Sequence, residues 1–81
     1  MTEEELLDLI RQFIDRTAVS KGLTAPKIKS ETMLLGGGVP IDSLDLAALV
    51  VELEQATGFD PFKAGFVNFR TAGELARLYR Q

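Results

Sequence analysis

The chain of 81 residues contains no cysteine and no histidine. Disulfides, thiol nucleophiles, imidazole bases and the usual zinc sites are therefore excluded, because each of them needs one of these side chains. A self-contained Ser-His-Asp hydrolase is excluded for the same reason. Catalysis would have to depend on carboxylates, and no pattern of acids marks a cleft. We therefore expect a protein that is not an enzyme and holds no metal.

Long apolar runs are also missing, since no stretch approaches the length of a membrane span. No basic stretch followed by an apolar one opens the chain, so we expect neither a secretory signal nor a membrane anchor. A cytoplasmic location is the expectation. The length predicts one domain, residues 1–81, with a core that depends on efficient helix packing, and we expect a monomer.

Basic residues are absent from residues 31–60, although the chain as a whole has nine. Six acids give this segment a charge of −6, whereas the two flanks together sum to +3. Such a segment repels nucleic acid and favours partners with Lys and Arg patches. A solvated face that only aids solubility is the alternative interpretation. The six acids are Glu31, Asp42, Asp45, Glu52, Glu54 and Asp60.

Thr2 and Glu5 have the spacing of a capping box, which predicts a helix from about Glu3 to about Ala18. No helical period follows from Lys21 to Pro40, so we expect an ordered crossover loop that apolar side chains hold to the core. Its glycine triplet, residues 36–38, indicates a flexible turn, because no Lys-Ser or Lys-Thr pair follows to make a phosphate loop. The loop side chains expected in the core are Ile28, Met33, Leu34 and Leu35.

The stretch VPIDSLDLAALVVELE, residues 39–54, predicts a helix whose N-cap is at or next to Ser43. This helix has two apolar stripes. A helix that only covers a core is usually polar on its outer side, so the second stripe is a candidate docking surface; packing on both sides in a small bundle is the alternative. The inward stripe comprises Leu46, Leu49, Val50 and Leu53, and the opposite stripe comprises Leu44, Ala47, Ala48 and Val51.

Gly58 is placed to end that helix, and Asp60 with Pro61 predicts a short third helix to about Ala64 or Gly65. A second capping box, formed by Thr71 and Glu74, opens a last helix. Most aromatic residues lie after Ser43 and are expected to fill the core. An alternative role, the lining of a groove for a tethered group, applies to Phe62, Phe66 and Val67.

The tripeptide Asp42-Ser43-Leu44, followed by Asp45, an apolar helix and a Glu-bearing end, resembles the attachment site of acyl carrier proteins and of the related peptidyl and aryl carrier proteins. The order and spacing of the predicted helices are similar to that family over nearly the whole chain. The resemblance implies an all-α, small four-helix bundle of acyl-carrier-protein type. Three longer helices and one short third helix are expected, with a long loop between the first two.

The resemblance also implies a function. Ser43 is expected to carry 4′-phosphopantetheine, attached covalently from coenzyme A by a phosphopantetheinyl transferase. The thiol of this arm holds acyl intermediates as thioesters for partner enzymes of fatty acid, other lipid or polyketide biosynthesis. Asp42 is expected to help position the metal of the transferase, and Leu44 to fill an apolar pocket on that enzyme.

Docking to the acyl-loading ligase or synthase and to other enzymes with basic patches is expected at one side of the Ser43 helix. Housekeeping fatty-acid carriers usually have glutamate where this chain has Ala48 and Gln55, which favours a free-standing, specialised carrier of bacterial type. A peptidyl or aminoacyl carrier is one alternative. The other is an acidic helical module that binds partners noncovalently, with Ser43 only as a cap. The expected docking residues are Asp45, Ala47, Ala48, Val51, Glu52 and Glu54.

Overall fold

Three helices make up the regular structure of the computed structural model, which describes residues 1–36, 38–63, 65 and 68–80. Helix α1 spans Glu3–Ser20, α2 spans Ser43–Thr57 and α3 spans Ala72–Tyr79. Within the described residues there is no strand, and one isolated antiparallel bridge joins Met33 to Thr71. The protein is thus small, compact and all-helical, with a Cα radius of gyration of 11.8 Å. None of the described helices is long and apolar enough to cross a membrane.

Each helix begins with a reciprocal capping box, which satisfies backbone N–H groups that have no partner inside the helix. At α1 the Glu5 N–H donates to Thr2 Oγ1 at 3.2 Å, and the Thr2 N–H donates to Glu5 Oε1 at 2.9 Å. Thr71 and Glu74 do the same at α3. Both boxes, and the left-handed Gly58 (φ 70°) at the end of α2, confirm the sequence predictions.

The core lies where α1 meets the other two helices. Among the described residues it is entirely apolar except for the Tyr79 hydroxyl, and each fully buried large aliphatic side chain contributes about 1.5–3 kcal/mol. From α2 only Leu49 and Leu53 are fully buried, whereas Leu46 and Val50 pack against the core from a half-buried position. The fully buried large side chains are Leu6, Ile10, Ile14, Leu34, Leu49, Leu53, Leu75 and Tyr79.

The long connection between α1 and α2, residues 21–42, is fixed to the rest of the protein by hydrogen bonds. The Leu34 N–H donates to the Arg70 carbonyl at 2.9 Å, and the Gly73 N–H donates to the Ser30 carbonyl at 2.8 Å. Ile28 and Leu34 are buried as predicted, but Met33 and Leu35 are exposed, which corrects the prediction for these two. Val39 and Ile41 are buried in the loop as well.

The predicted short third helix is not confirmed. Residues 61–63 form a turn, in which the Lys63 N–H donates to the Asp60 carbonyl at 3.3 Å and the Gly65 N–H donates to the Phe62 carbonyl at 3.1 Å. Both bonds have i+3 spacing, and neither continues as a helix in the described residues. Ala64, at the expected end of that helix, lies outside the described residues. The described part of the chain therefore has three helices.

Candidate functional site

Ser43 is the first residue of α2 and is exposed. The N-cap is its neighbour Asp42, whose carbonyl accepts the first helical bond, from the Leu46 N–H at 2.9 Å. Among the described residues, the Ser43 hydroxyl and the N–H groups of Ser43 and Leu44 have no hydrogen-bond partner. A hydroxyl and two free N–H donors therefore lie together at the positive end of the α2 dipole, where an anion is stabilised.

The carboxylates on either side of Ser43 are held in a fixed arrangement. Asp42 Oδ1 accepts the Asp45 N–H at 2.9 Å, and Asp45 Oδ2 accepts the Asp42 N–H at 3.1 Å. The Lys21 ammonium also contacts Asp45 Oδ2, at 2.6 Å. The Lys21 side chain, followed by the Asp42 N–H, holds the pKa of Asp45 below its ordinary value. Asp45 is thus ionised at neutral pH and has its charge balanced within the protein.

A shallow apolar groove of about 490 Å³ begins at Ser43. One wall is a single face of α2, on which Ser43, Leu46, Ala47 and Val50 follow one another at i, i+3, i+4 and i+7. Leu46 and Val50 are half-buried because the groove exposes them to solvent on one side. The apolar period of α2 predicted only a core-facing position for Leu46 and Val50. Helical spacing counted from Ser43 is the signal that indicates their second role, in the groove wall.

Aromatic residues from the segment after α2 form the opposite wall of the groove. Phe62 and Phe69 line it together with Gly65, and the two rings lie 6.0 Å apart at 58° to each other. Phe62 also packs on Tyr79 of α3, with ring centroids 6.4 Å apart. The position of Phe62 is thus consistent with the groove-lining role predicted for it. Phe66 and Val67, which were named with it, lie outside the described residues.

The outer side of α2 presents apolar side chains to solvent. Leu44 is 81% exposed and Val51 is 50% exposed, although both are large and apolar. Ala48 lies between them along the helix and is exposed too. Ala47 is exposed but borders the groove rather than this outer face. Leu44, Ala48 and Val51 therefore form an uncovered apolar strip beside the Ser43 hydroxyl, which we call the outer strip.

Two of the six acids in the segment 31–60 have internal partners from α1 and its C-terminal end. Asp45 pairs with Lys21, and both oxygens of Glu52 accept from Arg16 Nη2, at 2.8 and 3.1 Å. The charge of −6 counted over the segment therefore overstates the negative charge of the folded surface, because bases outside the segment neutralise two of its acids. The four remaining acids have no Lys or Arg within 4.0 Å in the described part of the chain; they are Glu31, Asp42, Glu54 and Asp60.

Glu54 and Asp60 lie close together at the C-terminal end of α2. Partial burial of Glu54, followed by the neighbouring Asp60 carboxylate, raises the pKa of Glu54 above its ordinary value. Asp60 also accepts the Phe62 N–H at 3.0 Å, which fixes the start of the turn that carries Phe62 into the groove wall. The far end of α2 is therefore the more negative end of this surface, because Glu54 and Asp60 pair with no Lys or Arg in the described part of the chain.

Comparison of the chain with protein-family models, with curated proteins and with solved structures gave no match.

Proposed function

We propose that this protein is an acyl carrier protein whose Ser43 hydroxyl is the attachment point of 4′-phosphopantetheine. One observation carries the proposal: an exposed serine in an Asp-Ser-Leu sequence opens a helix, beside free N–H donors, at the end of an apolar groove. The residues fit the group at both of its ends. The donors suit the phosphate, and the groove suits the apolar cargo of the arm.

The attachment step belongs to a separate phosphopantetheinyl transferase. The Ser43 oxygen forms a bond to the phosphorus of coenzyme A that bears the pantetheine, and the diphosphate bond breaks to release 3′,5′-ADP. The serine proton passes to a base on the transferase, and Mg²⁺ on that enzyme neutralises the diphosphate. In this chain, the free N–H groups of Ser43 and Leu44 stabilise the phosphodiester formed. The attached arm supplies a thiol, which holds the cargo as a thioester.

The neighbours of Ser43 suit recognition by other proteins. Asp42 lies next to the hydroxyl and has no basic partner among the described residues, so its Oδ2 oxygen is available to the metal of the transferase. Leu44 is exposed enough to enter an apolar pocket on that enzyme. The outer strip and the acids Glu54 and Asp60 then offer an apolar and acidic surface to an acyl-loading ligase or synthase with a basic patch.

The lining of the groove favours acyl over aminoacyl cargo. Its walls are aliphatic and aromatic, and an ammonium group in contact with them would lose hydration without gaining a partner. An alkyl chain contributes up to about 0.8 kcal/mol for each CH₂ that it buries there. We therefore infer a carrier for a lipid or polyketide-type pathway, with a peptidyl carrier as the alternative. The pathway enzymes do the chemistry, and this chain is not itself an enzyme.

Intact-mass spectrometry tests the proposal. The unmodified protein and Ser43→Ala are incubated with coenzyme A, Mg²⁺ and a transferase of broad specificity. The parent is expected to gain one phosphopantetheine unit and the variant none. The fold of the variant should be intact, since Asp42 rather than Ser43 caps α2. A folded parent that gains no mass would instead favour noncovalent binding through the outer strip, which is the competing function.

A further inference from the structure

Lys21 connects three parts of the chain next to Ser43. It follows the last residue of α1, and its ammonium group donates to the Pro40 carbonyl at 3.1 Å and to Asp45 Oδ2 at 2.6 Å. Its partners lie on the two sides of Ser43, one in the loop before it and one in the first turn of α2. A single cation thus links α1, the end of the long loop and the start of α2.

The Asp45 carboxylate belongs to the hydrogen-bonded turn that contains Ser43. The oxygen that contacts Lys21 is the same one that accepts the Asp42 N–H, while the other half of the capping box joins Asp42 Oδ1 to the Asp45 N–H. Ser43 lies within this closed ring of hydrogen bonds. Loss of the ammonium would leave the Asp45 carboxylate with a single hydrogen bond, from the Asp42 N–H, and would release the Pro40 carbonyl.

We propose that Lys21 is a positioning residue for the transfer of phosphopantetheine to Ser43, a role that depends on the carrier function proposed above. Its ammonium group holds Asp45 and the Pro40 carbonyl so that the Ser43 hydroxyl is presented in one orientation at the helix end. It also balances one of the two carboxylates that flank the hydroxyl, which the diphosphate of coenzyme A must approach. A nucleophile that is held in the correct orientation reacts many times faster than one that is free to move.

The chain contains a matched control for this role. Arg16 also joins α1 to α2, through two hydrogen bonds to Glu52. Glu52 is nine residues beyond Ser43, which places it about 13 Å further along the helix. Both ion pairs are partly exposed and cross the same helix interface, so each is expected to add only a small amount to stability. Only the Lys21 pair touches the turn that holds Ser43.

The test compares Lys21→Met with Arg16→Met, both of which keep an apolar stem. Steady-state kinetics with coenzyme A, Mg²⁺ and the transferase gives kcat and KM for the parent and each variant, and thermal melts give their stabilities. We expect kcat to fall by about tenfold for Lys21→Met, because the hydroxyl loses its fixed orientation. The KM for the carrier should not rise, since the change makes the surface more acidic. Arg16→Met should keep the parental kcat.

An NMR titration adds a readout that does not depend on the transferase. Lys21→Met should raise the pKa of Asp45 toward its ordinary value and speed amide exchange at Asp42 and Asp45, whereas Arg16→Met should change neither. A parental kcat for Lys21→Met, or an equal loss of kcat in both variants, would overturn the positioning role and leave the carrier function standing. A parent that accepts no phosphopantetheine would overturn both.

Discussion

The hydroxyl of Tyr79 provides a test of how the core is built. Tyr79 is fully buried at the end of α3, and its hydroxyl forms no hydrogen bond with any described residue. An unpaired buried hydroxyl costs about 1–3 kcal/mol in desolvation. Burial, followed by the charges of Glu54 and Asp60, raises the pKa of this group, so it stays protonated at neutral pH. The folded protein therefore contains a polar atom that its surroundings disfavour.

Tyr79→Phe removes this oxygen and keeps the ring contact with Phe62. We expect the free energy of unfolding to rise by about 1 kcal/mol, which corresponds to an increase of about 4–8 °C in Tm for a domain of this size. Urea unfolding followed by circular dichroism at pH 7 is the suitable assay, because the chain has no tryptophan and Tyr79 is its only tyrosine. The m-value should stay unchanged, since the same surface is exposed on unfolding.

Tyr79→Leu is the control, because it also lacks the hydroxyl but removes the ring. This variant should be less stable than the parent through lost aromatic packing. A decrease of about 1 kcal/mol in the free energy of unfolding of Tyr79→Phe would refute an unpaired hydroxyl, since a loss of that size is typical of a broken hydrogen bond.

Three further predictions follow from other parts of the structure. A Cβ on Gly73 would lie 2.8 Å from the Ser30 carbonyl oxygen, which is closer than van der Waals contact. Gly73→Ala should therefore lower the free energy of unfolding, measured in urea, by about 1–2 kcal/mol, even though alanine favours a helix. A higher free energy of unfolding in the variant would contradict the close packing. Because the folded state raises the pKa of Glu54, the stability linked to this group is present below the ordinary value of 4.5 and is lost as the pH rises through the folded pKa. Glu54→Gln should therefore have a higher Tm than the parent at pH 7 and the same Tm below pH 4. Equal Tm values at pH 7 would contradict a cost of the Glu54 charge from partial burial and from repulsion by Asp60. If the protein is an acyl carrier, straight-chain acyl groups attached to its arm as thioesters should raise Tm with chain length until the groove is full. Ala47→Phe, which narrows the groove, should weaken this dependence of Tm on chain length. A Tm that does not depend on chain length in the parent would count against cargo binding in the groove.

Features that depend on neighbouring residues could be predicted from the sequence. The capping boxes at Thr2 and Thr71 and the helix end at Gly58 depend on side chains within about four positions, so spacing alone indicates them. The exposure of Leu44 and Val51 followed from the helical period. The same period, counted from Ser43, places Leu46, Ala47 and Val50 along one face, although that face was interpreted only as core and docking surface.

Features that depend on distant residues could not be predicted in this way. The Lys21–Asp45 and Arg16–Glu52 pairs join residues 24 and 36 positions apart, and nothing local indicates either of them. For the same reason, charge counting over residues 31–60 overstated the acidity of the folded surface. The exposure of Met33 and Leu35 was not predicted because a loop has no periodic pattern that separates inward from outward side chains. At Met33 the chain is extended by the bridge to Thr71, so successive side chains point to opposite sides, and Met33 is exposed whereas Leu34 is buried.

Location of the modified residue tests the central claim most directly. The transferase reaction is followed by proteolysis and peptide mass spectrometry of the parent and of Ser43→Ala. The chain offers three serines, and we predict phosphopantetheine on the peptide that contains Ser43, near-complete conversion in the parent, and none in the variant. Modification at Ser20 or Ser30, or a folded parent that stays unmodified, would contradict the carrier function.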